Sequence, residues 1–178
     1  MAMQQPELNV VPLLPEGEVV RTQYKLMARI TTTAAGVIKG NSSVKGYEQW
    51  VQAVDFKTST VRNFDAQDQL IGVPDAKFFR LTTLWDGGGI VPLTQSIFTG
   101  EDVTTCDIHC LRSGPQGEVQ PAVLITLSQA KVLEVDYVYS HVAGPLVIVD
   151  LHPVSFKIVD NLNRYEFSWN LSRLSREA

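Results

Sequence analysis

The sequence is poor in cysteine, poor in histidine, without an excess of positive charge and without a long apolar run. Each scarcity argues against a class of function. Its 15 basic and 19 acidic residues leave a net charge of −4, so no basic field exists to condense on phosphate backbones or anionic lipid. No apolar stretch approaches the roughly 20 residues that a bilayer-crossing helix needs. Nucleic acid partners and membrane insertion therefore find no support. The two cysteines, Cys106 and Cys110, share one face of a strand-like segment with Ile108. Two same-face residues of a straight strand lie too far apart to bridge, so both read as reduced, buried thiols of a protein folded in the cytoplasm.

Catalytic and metal-binding patterns are missing as well. His109, His141 and His152 are scattered, and a zinc or cupin-like metal site would need them to converge from separate strands. The Gly-rich stretch from Trp85 to Gly89 lacks the lysine and the serine or threonine of a phosphate-binding loop, and no G-x-S-x-G elbow occurs. Asp65, Asp68 and Asp75 share an acidic segment without the spacing of a calcium loop. The residues thus indicate no catalytic group, no cofactor and no metal. Residues 1–21 lack the basic segment, apolar core and small-residue cleavage site of a secretory signal, so export would use another route.

What is present is β-structure. With 178 residues, 44% hydrophobic and 19% charged, the chain has the composition of one folded domain. Residues 1–25 carry three prolines and no sustained periodicity and read as an arm; 26–174 form the domain and 175–178 a short tail. Strands are predicted over 24–33, 48–61, 77–85, 102–112, 122–140, 146–159 and 165–171, with a bulge or bend at Ala130 to Glu134 of the longest. In the second, Trp50, Val54 and Phe56 alternate with Asp55, Lys57 and Ser59, so one face is core and the other wet. Phe64 to Ala76, with acidic, Gly and Pro residues, reads as a long loop or protruding hairpin. One short helix is expected over 90–99, with Pro92 in its first turn, Leu93 and Ile97 as an i, i+4 apolar pair, and Gly100 as its stop. The fold class is mainly β: a small antiparallel barrel or two-sheet sandwich with one helix.

The segments IKGNSSVKGYEQWVQAVDF, IVPLTQSIFTGEDV, AVLITLSQAKVLEVDYVYS, LVIVDLHPVSFKIVD and YEFSWNLSR occur in an order that resembles the hemolysin-coregulated proteins of type VI secretion. The resemblance spans about Leu26 to Arg173; the arm before it is additional. It implies a structural subunit and not an enzyme. Six copies would close into a hexameric ring, rings would stack into a hollow tube, and a contractile sheath with its spike and baseplate proteins would drive that tube out of the bacterial cell. Small effector proteins would travel in the lumen. The exposed strand edges of such a barrel would be completed by neighbouring copies. Asp55, Lys57 and Ser59 become candidates for the wet inner wall. Phe64, Asp65, Asp68, Leu70, Ile71 and Val73, with Trp50 and Trp169, become candidates for contacts between subunits or stacked rings. A phage-tail or extracellular contractile-injection tube shares the same architecture, and a ligand- or metal-binding β-barrel is the alternative of another class.

Overall fold

A computed structural model describes residues 24–64, 70–84, 90–113, 118–140 and 144–171. Its elements are β1 (Tyr24–Thr32), β2 (Gly36–Val37), β3 (Val51–Phe64), β4 (Leu70–Leu84), α1 (Ile90–Thr99), β5 (Val103–Ser113), β6 (Val119–Ser140), β7 (Gly144–Asp160) and β8 (Tyr165–Asn170). All pairings are antiparallel, and six strands run in the order β1-β3-β4-β7-β6-β5. The sheet closes because β5 returns to β1, with Tyr24 opposite Arg112 and Thr32 opposite Val103. The barrel therefore seals within one chain, as the expected small antiparallel barrel does. Full closure removes edges only where both neighbours are present, and several strands outrun their partners.

The core fills the barrel in layers. Ile30, Phe79, Leu81, Ile108, Leu127, Val147, Val149 and Leu151 are all at most 1% exposed, and Phe56 and Phe156 pack on Phe79 with ring centroids 6.3 and 5.1 Å away. Cys106 is fully buried and Cys110 half-buried, both as free thiols. Both lie on the face of Ile108, but Cys110, opposite the half-buried Leu26 and Val123, is nearer the C-terminal end of the strand than Cys106 and so less enclosed. Burial pushes the Cys106 thiol up to about 12, with the neighbouring Asp107 charge adding to the effect, so it stays protonated.

Strand faces depart from simple alternation at bulges. Val51 and Ala53 are buried, but a shift between Ala53 and Asp55 leaves Val54 exposed and turns Phe56 toward the core. Val54 and Phe56 thus do not share an inward face, and Trp50 precedes the strand. The segment expected as a loop or hairpin is a hairpin: β3 continues to Phe64, β4 begins at Leu70, and Phe64 lies opposite Leu70. The predicted irregularity in the long strand is a register shift between Val132 and Glu134.

The helix matches its expected span. Gly100 stops it in the left-handed region (φ +71°), its N–H donating to the Ser96 carbonyl at 2.9 Å. Among its described side chains Leu93 and Ser96 are buried, while Ile97 is 38% exposed. Ser96 tolerates burial because its hydroxyl donates to the Pro92 carbonyl at 2.9 Å. Pro153, interior to β7, sits where that strand changes partner on one side, from β4 up to Leu151 to β8 from Ser155. A residue without an N–H costs no ladder bond at such a gap.

Candidate functional site

Four of the strands, in the order β3-β4-β7-β6, form a sheet whose second face points away from the core. Residues directly opposite in an antiparallel ladder point to the same side, so the registers define rows. One row is Lys57, Arg80, Asp150 and Glu134; the next is Asp55, Thr82, Ile148 and Asp136. Ser59 opposes Phe78 one step further on. The three expected wall residues Asp55, Lys57 and Ser59 therefore lie together on the face opposite Phe79 and Leu81. Sequence alternation found them, yet missed Arg80, Asp150, Glu134 and Asp136. A single charge inside the apolar run LVIVDL was the available signal.

The middle of this face is locked. Arg80 donates from Nε and Nη2 to both carboxylate oxygens of Asp150 at 2.7 and 2.6 Å, and Nη2 lies 3.9 Å from Glu134. Asp150 is only 7% exposed, so its charge is held in place by this fork. The hydrogen bond and the carboxylate charges raise the Arg80 guanidinium above its ordinary range. At the two borders, by contrast, Lys57, Asp55 and Asp136 are exposed and make no ion pair among the described residues.

The borders are also where strand pairing stops. β3 pairs with β1 only from Val51 to Ala53, so from Val54 onward one of its edges has no described strand beside it. β6 pairs with β5 only as far as Ala130, so from Lys131 to Ser140 its corresponding edge likewise has no described strand beside it. The same rows cross both borders, which places the two open edges at one level on opposite sides of the sheet.

The model of the family described as "Type VI secretion system effector, Hcp" matches residues 29–158. The chain belongs to the Hcp family. No curated protein matches it by sequence. Among solved structures, one described as Hcp protein is 16% identical with a TM-score of 0.75, covering 84% of this chain and 98% of that one. A mutant of Hcp1 from the E. coli EAEC 042 pathovar is 17% identical with a TM-score of 0.75, covering 83% and 98%. The secreted protein Hcp3 from Pseudomonas aeruginosa is 17% identical with a TM-score of 0.64, again covering 83% and 98%. At such identities the structures establish the shared fold; the family match supplies the function. As an Hcp, the chain is a structural subunit of the type VI secretion tube.

The remaining predicted residues of this Hcp fall in three places. Phe64, Leu70, Ile71 and Val73 belong to the β3–β4 hairpin, whereas Asp65 and Asp68 lie outside the described residues. Trp169, half-buried in β8, stacks on Phe167 at 6.0 Å and lines an apolar groove of about 270 Å³ with Thr60, Ala76 and Phe156. Trp50 is remote from both: its ring sits 4.7 Å from His109 and 4.9 Å from Tyr47, so it anchors the 38–50 segment to β5. The described histidines do not converge, since His109 joins this aromatic cluster and His152 is exposed on β7; among the described residues no group of three metal-ligating side chains forms. His141 lies outside the described residues.

His109 hydrogen-bonds Tyr47 through Nδ1 at 3.1 Å, and burial lowers its pKa against the opposing pull of Asp107. An unfolded chain, with histidine near its ordinary value of about 6.5, then binds a proton before the folded one does. Stability is expected to fall as pH drops below that value and to level off once folded His109 is also protonated. Urea midpoints measured between pH 7 and pH 5 should show a shallower slope in His109→Phe than in the parent.

Proposed function

We propose that copies of this Hcp close into a ring by joining the uncovered edge of β3 in one subunit to the uncovered edge of β6 in the next. The observation that carries this reading is the pair of open edges at one level, bordering a sheet of four antiparallel strands. Because four is even, β3 and β6 run in opposite directions, and the join continues an antiparallel ladder without a break. Such a head-to-tail contact closes by rotation. An unpaired edge left exposed would be an aggregation site, and ring closure removes it.

Six copies would place about 24 strands around the axis. At about 4.8 Å between strands and a tilt of about 40°, the wall has a backbone diameter of about 48 Å. Side chains of about 5 Å on each side leave room for a folded domain of about 100 residues. The polar face with Lys57, Arg80, Asp150 and Glu134 would be the wet lumen wall, suited to small effector proteins as cargo. The β3–β4 hairpin, the groove beside Trp169 and the arm of residues 1–23 would bridge neighbouring copies or stacked rings. Sheath, spike and baseplate proteins are the outer partners of this reading. The protein would be made in the bacterial cytoplasm and leave inside the contractile machine, without a signal peptide and without an enzymatic step.

Native mass spectrometry and negative-stain microscopy of the purified full chain test the reading. Hexamers with a central hole are expected, and monomers alone across salt and concentration would overturn it. The family match favours type VI secretion over a phage-tail tube.

A further inference from the structure

Resting on the ring reading above, we propose that the seam between subunits is registered by an ion pair between Lys57 of one copy and Asp136 of the next. The two borders of the four-stranded sheet carry different charge. On β3 the exposed charged residues described on the polar face are Asp55 and Lys57; on β6 they are Glu134 and Asp136, beyond Lys131, whose ammonium is held by Asp102. The registers put both β6 carboxylates on the face of Arg80, Glu134 in its own row and Asp136 in the next. Lys57, in turn, lies opposite Arg80 on the neighbouring strand, a like-charge contact that favours turning its ammonium outward to a carboxylate beyond the edge.

Closing a sheet into a cylinder requires a stagger, because the strands tilt against the axis. Stagger by an odd number of residues would turn wall residues into the wall's outer side, so only even steps preserve the wet face. With no stagger, Lys57 meets Glu134 but Asp55 meets Asp136, and attraction is offset by repulsion. A two-residue step in one direction sets Asp55 against Glu134, like charge against like, and leaves Lys57 without a carboxylate opposite it. The same step in the other direction sets Lys57 against Asp136, Ser59 against Glu134 and Asp55 against the uncharged Val138. Of these registers only the last pairs Lys57 with Asp136, neither of which makes an ion pair among the described residues of its own chain, and places no like charges of the described residues opposite each other. Complementary charge of this kind selects register more than it adds affinity.

Charge reversal separates this inference from the ring reading beneath it. Native mass spectrometry of the full chain at about 150 mM ionic strength should show hexamer for the parent. Lys57→Asp and Asp136→Lys should each raise the concentration needed for half-assembly about tenfold or more, and the double variant should return to within about threefold of the parent. If the parent forms no ring, the ring reading falls. If the parent forms rings and the single reversals assemble normally, or the double variant fails to recover, the seam register falls. A Lys57→Cys, Asp136→Cys protein supplies a readout that does not depend on charge. Mild oxidation should give a ladder of covalent oligomers ending at six on a non-reducing gel, absent from the parent; rings that yield no ladder would overturn the register.

Discussion

Phe79→Ala is expected to lower the free energy of unfolding by about 3–5 kcal/mol, the range for emptying a fully packed aromatic site. Phe79 is 1% exposed at the centre of β4, between the rings of Phe56 and Phe156 and opposite Leu151 of β7. Its loss removes apolar contact area and also leaves a void that barrel walls fixed by hydrogen-bonded strands cannot collapse to fill. For a chain of this size, about 3 °C in melting temperature accompanies each kcal/mol, so a fall of about 10 °C or more is expected by thermal denaturation. Phe79→Leu, which keeps most of the volume, should lose less than half as much. Equal losses would show that the site depends on ring stacking and not on filling.

Gly40→Ala should cost about 3 kcal/mol, the upper end of overpacking penalties, although it adds a single methyl. A Cβ at position 40 would lie 2.3 Å from the Trp50 carbonyl oxygen, 2.5 Å from its carbon and 2.6 Å from the Val51 Cα. These are backbone atoms and cannot rotate away. Val51 is held opposite Ala28 of β1, and the Gly40 N–H donates to the Gln49 carbonyl at 2.7 Å. Relief would require opening the 38–50 segment and, with it, the Trp50, Tyr47 and His109 cluster. Gly46→Ala is the control: its backbone is left-handed (φ +83°) but its surroundings are open, so only the conformational cost of about 1–2 kcal/mol applies. A urea-midpoint loss no larger at Gly40 than at Gly46 would refute the close-approach argument.

Local chemistry written in consecutive residues was readable in advance. The helix from Ile90 to Thr99 and its Gly100 stop depend on short-range turns and a glycine that tolerates positive φ, so its bounds follow from the sequence. The wet alternation of Asp55, Lys57 and Ser59 was equally local. Where a bulge intervened, as at Val54, alternation assigned the wrong face, because one inserted residue reverses the inward positions after it; between Cys106 and Cys110, where no bulge falls, alternation held. Ile97 was misplaced for a related reason: which helix stripe is buried depends on the angle at which the helix lies on the barrel.

By itself the sequence determined a β-rich chain with one capped helix, scattered histidines and, through the order of its strand segments, a likeness to the hemolysin-coregulated proteins. Tertiary structure alone decided that the barrel closes on its own, that Arg80 clasps Asp150, and that β3 and β6 have edges on the same level with no described strand beside them. Periodicity is a property of neighbours along the chain. Pairing register and closure join residues as far apart in the chain as Tyr24 and Arg112 or Arg80 and Asp150, and are settled by which hydrogen-bonded rows can all be satisfied at once.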